Sequence, residues 1–79
     1  MNKISATMLK ALRAVARGDV YRLYRRHGNV FPQAGTTSPA TLWKAEEAGL
    51  ILDGETISSS PFETVVRMKL TAAGREALT

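Results

Sequence analysis

SPATLWKAEEAGLI, residues 38–51, carries its own boundaries. Ser38 has the side-chain oxygen of an N-cap, Pro39 fills the first helical position, where a missing N–H costs nothing, and Gly49 supplies a left-handed stop. Together they predict a helix over residues 38–48. At about 100° per residue, Leu42 and Ala45 share one face and Ala40, Trp43, Lys44 and Glu47 the other. The inner face is small, so this helix can sit close to a neighbour. After Gly49 the texture changes: Leu50, Ile51 and Leu52 lead to Asp53-Gly54, a turn pair, then to Ser58-Ser59-Ser60-Pro61, and then to the alternating run ETVVRMKL. Two antiparallel strands around a polar tip are predicted, with Val66, Met68 and Leu70 towards the core and Val65, Arg67 and Lys69 outward. Thr71 is placed to cap a last short helix, AAGREAL, which Gly74 weakens.

Working back towards the N-terminus, SATMLKALRAVAR (residues 5–17) predicts an amphipathic helix capped by Ser5 and stopped by Gly18. Met8, Leu9, Leu12, Val15 and Ala16 form its apolar stripe, and Lys10, Arg13 and Arg17 a basic stripe on the opposite face. Residues 19–33 admit two readings. Asp19 as N-cap with Val20, Leu23 and Tyr24 as an apolar stripe makes a short helix; alternatively VYRLY and NVF form a hairpin turning at Gly28-Asn29, which fits the β-branched and aromatic content better. Pro32 then ends the hairpin, and Gln33 to Thr37 form a loop.

The composition narrows what such a domain can do. Its 79 residues suit one small domain with a thin core, and the absence of cysteine, with a single histidine, removes thiolate zinc sites, cysteine nucleophiles and multi-histidine metal centres. His27 lies in an Arg-rich stretch, Glu46 and Glu47 are adjacent and point apart on their helix, and no glycine-rich phosphate loop is present. No catalysis, metal or cofactor is expected. The apolar runs are short and the N-terminus has no signal-peptide pattern, so a cytoplasmic location and no membrane partner are expected.

The net charge is +4 and uneven: residues 1–30 hold seven Lys and Arg against one Asp, a net of +6, and the remainder is −2. A basic half joined to a mildly acidic one suits a polyanionic partner met on one face. Lys10, Arg13, Arg17, Arg22, Arg25 and Arg26 are the candidate phosphate anchors. Thr37, Ser38, Ala40, Thr41 and Lys44 stand at the positive end of the 38–48 helix, where hydroxyls, backbone N–H groups and a cation suit phosphate and base edges. Trp43 falls beside the exposed face. With Val65 it is the candidate protein-contact residue, and an outward Trp43 on a thin core makes a homodimer plausible.

Two motifs give this order of elements a likeness. LWKAEEAGLI, residues 42–51, resembles the end of the recognition helix and the "GLI" that starts the wing in winged helix-turn-helix domains of MarR-like and PadR-like bacterial regulators. LTAAGREAL, residues 70–78, is similar to their "LT..G" junction after the wing. The resemblance implies an α+β winged helix-turn-helix with a C-terminal hairpin wing and short terminal helix. It further implies double-stranded DNA binding with residues 38–48 in the major groove, and a role in transcription regulation of the kind a small phage or bacterial regulator performs. The wing tip departs from the pattern in carrying no Arg or Lys, and a hairpin at 19–31 would replace the usual second helix. The alternative function is a protein-interaction module on the same scaffold, binding through Trp43 and neighbouring apolar surface.

Overall fold

The computed structural model describes residues 4–79; Lys3, part of the basic N-terminal segment, lies outside them. The described residues form helices α1 (Ala6–Ala16), α2 (Pro39–Glu47) and α3 (Ala72–Ala77), and strands β1 (Tyr21–Arg25), β2 (Gly28–Val30), β3 (Ile51–Ser59) and β4 (Glu63–Leu70). The chain is α+β, with one antiparallel sheet in the order β2-β1-β4-β3. All three predicted N-caps are in place. The hydroxyl of Ser5 accepts from the Met8 N–H at 3.1 Å, that of Ser38 from Thr41 N–H at 3.3 Å, and that of Thr71 from Gly74 N–H at 3.0 Å. Gly18 and Gly49 follow α1 and α2 with φ of 81° and 74°, the left-handed stops expected of them.

Residues 19–33 resolve as the hairpin, with its turn two residues earlier than predicted. Arg25 pairs with Gly28, so Arg26 and His27 make the turn, and Asn29 pairs with Tyr24 inside the ladder. Asn29 is held there because its side-chain oxygen accepts from Arg22 Nε at 2.8 Å. Asp53-Gly54 is likewise no turn: β3 runs through it, and the register with β4 shifts between Asp53 and Thr56. A Cβ at position 54 would stand 2.6 Å from the Arg67 carbonyl oxygen, so the glycine serves this irregular crossing. The chain reverses instead at residues 60–62, where the Ser60 hydroxyl accepts from the N–H groups of Phe62 and Glu63.

Strand pairing sorts the side chains onto two faces. Arg22 lies opposite Val66 and Asp53 opposite Met68, which places all four on the face that meets α1 and α2; Leu23, opposite both Val30 and Val65, lies on the other. The core is Leu12 and Val15 of α1, Leu42 and Ala45 of α2, and Val20, Phe31, Ile51 and Met68. Full burial of each large member contributes about 1.5–3 kcal/mol. Val66 and Met68 are buried as predicted and Leu70 half-buried. On α1 the stripe is shifted, with Ala11 and Ala14 buried and Ala16 exposed, because the small Ala45 face of α2 lets the helices approach over alanine. Gly74 has a structural reason: a Cβ there would lie 2.1 Å from the Leu50 carbonyl oxygen, so only glycine lets α3 fold back onto the start of the β3–β4 hairpin. No helix among the described residues is long and apolar enough to cross a membrane.

Candidate nucleic-acid interface

Lys10, Arg13 and Arg17 are separated by three and four residues, Lys10 and Arg13 on α1 and Arg17 at its C-cap, so they share one face, and all three are exposed. The structure brings this stripe against the loop that leads into α2. Lys10 and Arg17, together with Asp19, Gly35 and Thr36, line a cleft of about 320 Å³ between α1 and that loop. Arg17 also pairs with Asp19 at 3.0 Å, but both side chains are about three-fifths exposed, so the pair adds little stability and leaves the guanidinium accessible. Lys10 and Arg13 have no carboxylate partner among the described residues.

The predicted contacts on α2 divide. Ala40 and Lys44 are exposed at its outer face. Thr37 is buried, at 7% exposure, because its backbone closes a bridge with Ala34; it is not a groove contact. Ser38 is committed to its cap, and its Oγ lies 3.0 Å from Thr41 Oγ1, which ties up both hydroxyls. The unpaired donors at this end come from the loop, where Thr36 is exposed.

Arg22 is removed from the phosphate-anchoring set. Although it carries a charge, it is only 7% exposed. Its guanidinium bridges Glu46 of α2 through both terminal nitrogens, one at 3.0 Å, approaches Asp53 of β3 at 3.4 Å, and donates to Asn29 of β2 at 2.8 Å. It stacks on Trp43, Phe31 and Tyr24 with its central carbon 4.9–5.3 Å from the ring centroids. Trp43 meets Phe31 edge-on at 4.9 Å and is half-buried, so it packs the fold and is not the outward contact predicted for it. Burial by itself pulls the Arg22 pKa down, but the hydrogen bond and charge of Glu46 outweigh it and the value is raised, keeping the cation in place. Burial, followed by a hydrogen bond to Asp53, raises the Tyr24 phenol above its ordinary value. One arginine therefore pins α2 to three strands.

The other candidates lie further away. Arg25 pairs across the sheet with Glu63 at 2.9 Å, both partly exposed, while Arg26 is exposed at the β1–β2 turn without a carboxylate partner among the described residues. Val65 is half-buried in the outer face of the sheet beside Leu23. No known protein family, curated protein or solved structure matches the chain.

Sequence reasoning missed two features. Phe62, 82% exposed, projects from the tip of the β3–β4 hairpin; its signal was a large aromatic directly after a polar Ser-Pro run. The second is the Arg22 cluster, whose members are up to 31 positions apart. The local signal was an arginine at an inward position of an alternating strand, which demands partners that only the folded topology supplies.

Proposed function

We propose that this chain is a small double-stranded DNA-binding protein acting in transcription regulation, built as a variant winged helix. In this reading α2 is the recognition helix, β3–β4 is the wing, and the β1–β2 hairpin stands where the middle helix of the motif would be. The observation that carries it is the meeting of the α1 basic stripe with the loop ahead of α2. Lys10 and Arg17 line one cleft with Gly35 and Thr36, so phosphate held by α1, in place of the exposed Asp19 that now pairs with Arg17 in the same cleft, would hold the N-terminus of α2 against the duplex. Arg13 extends the same stripe. Ala40 and Lys44 then face the groove, Lys44 towards a guanine edge or a phosphate and Ala40 towards a thymine methyl. Glu46 is turned inward onto Arg22, which keeps its charge from opposing the backbone, and Glu47 stands at the far end of the helix.

The test separates anchoring from reading. Arg13→Ala should weaken binding to all duplexes alike and reduce the salt slope by about 0.9, the value of one phosphate contact. Lys44→Ala should alter the preferred sequence in a selection from randomised duplexes. Unchanged affinity and preference in both variants would refute the assignment.

A further inference from the structure

A groove among the described residues lies on neither α2 nor the α1 basic stripe. It measures about 600 Å³ and runs between the C-terminal end of α1 and α3, over the end of β4. It exists because of where the sheet loses a strand: the β1–β4 ladder ends at Tyr21 and Arg67, whereas β4 continues to Leu70. The chain before β1 has already turned through Gly18 into α1, so a furrow opens beside the last residues of β4. Its floor is apolar, with Ala16, Leu70 and Leu78 reachable from solvent. Its rim is cationic throughout: Arg67, Lys69 and Arg75 line it, and no carboxylate does.

We propose that this groove docks an acidic amphipathic helix of a partner protein. Two flanking helix ends and an apolar floor suit a helix laid lengthwise, its apolar stripe down and its carboxylates meeting Lys69 and Arg75, the rim cations left free once Arg67 is paired with Glu55 at 2.9 Å. Phosphate is disfavoured as the occupant, since a nucleic-acid backbone would desolvate the apolar floor without covering it. A second copy of this chain is disfavoured by charge. Five of its seven acidic residues, Asp19, Glu46, Asp53, Glu55 and Glu63, are already paired with arginines of their own chain. Glu47 and Glu76 remain, on separate short helices, and they cannot make an acidic face. Arg67 shapes the rim more than it charges it: paired with Glu55, its side chain crosses Gly18, whose added Cβ would lie 3.5 Å from it, and stacks on Tyr21 at 5.6 Å. Lys69 and Arg75 have no carboxylate partner among the described residues.

The probe is a fluorescein-labelled 14-residue peptide with Leu at helical i, i+3, i+4 and i+7 positions and Glu elsewhere, followed by anisotropy on the full chain. Saturable binding at micromolar concentration is expected, weakened at least tenfold by the exposed double reversal Lys69→Glu with Arg75→Glu, and untouched by Arg26→Glu. A scrambled peptide of the same composition should bind at least tenfold more weakly, and amide shifts on titration should centre on Leu70 and Leu78. Equal binding of the scrambled peptide, loss with Arg26→Glu but not with the double reversal, or no binding at millimolar peptide would each overturn the proposal. The peptide assay contains no DNA, so its outcome is independent of the reading given to α2.

Discussion

Replacing Arg22 by alanine should be among the most damaging single changes to this fold. The side chain is 7% exposed, bonded to Glu46, Asp53 and Asn29, and stacked on three aromatic rings. Removing one partner of a buried ion pair costs about 3–5 kcal/mol. Here the carboxylates keep water, with the Glu46 and Asp53 side chains 30% and 40% exposed, so that range is discounted to about 1.5 kcal/mol. Desolvated stacking of the guanidinium adds about 1 kcal/mol. The sum is about 2.5 kcal/mol, against a total stability of roughly 4–12 kcal/mol for a domain of this length. With an m-value of about 1 kcal/mol per molar urea, the unfolding midpoint should fall by about 2.5 M. Trp43, the sole tryptophan and itself in contact with Arg22, reports the transition by fluorescence. Arg22→Lys keeps the charge but loses the planar fork, and should recover less than half of the loss. A midpoint shift below about 0.5 M for Arg22→Ala, the range of ordinary surface changes, would show that the cluster does not pin α2 to the sheet.

Gly74→Ala gives a test of sign. Helix propensity favours alanine by about 1 kcal/mol, whereas the added Cβ would meet the Leu50 carbonyl oxygen at 2.1 Å; a destabilisation of at least about 2 kcal/mol by urea unfolding is expected, and a stabilised variant would contradict the close approach. The Tyr24 phenol, raised first by burial and then by its bond to Asp53, favours the neutral form when folded. Its contribution is therefore full below the unfolded tyrosine pKa and is lost as pH rises through the higher folded value. Stability measured against pH should fall on the alkaline side, and Tyr24→Phe should flatten that fall; an unaltered alkaline profile in the variant would count against the Tyr24–Asp53 contact. Ser38→Ala should lower stability by about 1 kcal/mol through loss of the α2 cap, readable by the same urea titration.

Elements with local signatures were legible in the sequence, and the limits of that legibility are physical. Ser5, Ser38 and Thr71 announce helix starts, Gly18 and Gly49 announce stops, and alternation in ETVVRMKL marks a half-buried strand, because these signals arise from interactions within a few residues. The misplaced turns came from reading Gly28-Asn29 and Asp53-Gly54 by composition alone. In both places a cross-strand contact, Asn29 with Arg22 and Gly54 with the Arg67 carbonyl, claims the residue for the ladder. The charge count was correct in total but not in availability. Arg22, Arg25, Arg17 and Arg67 each meet a carboxylate, through partners 2 to 38 positions away, which no local spacing reveals. The basic stripe of α1 was readable because its spacing alone fixes a face. That Lys10 and Arg17 share a cleft with Gly35 and Thr36 depends on how α1 packs against α2, and only the folded chain supplies that.

The most direct test of the DNA-binding account is fluorescence anisotropy of the protein against a labelled random-sequence duplex between about 50 and 200 mM salt. The account predicts binding at the low end that weakens linearly in log–log form, with a slope reduced by about 0.9 for each of Lys10→Ala, Arg13→Ala and Arg17→Ala. Arg22→Lys, measured where it remains folded, should leave the slope unchanged. Absence of binding at 50 mM salt, or a slope indifferent to all three α1 substitutions, would contradict it.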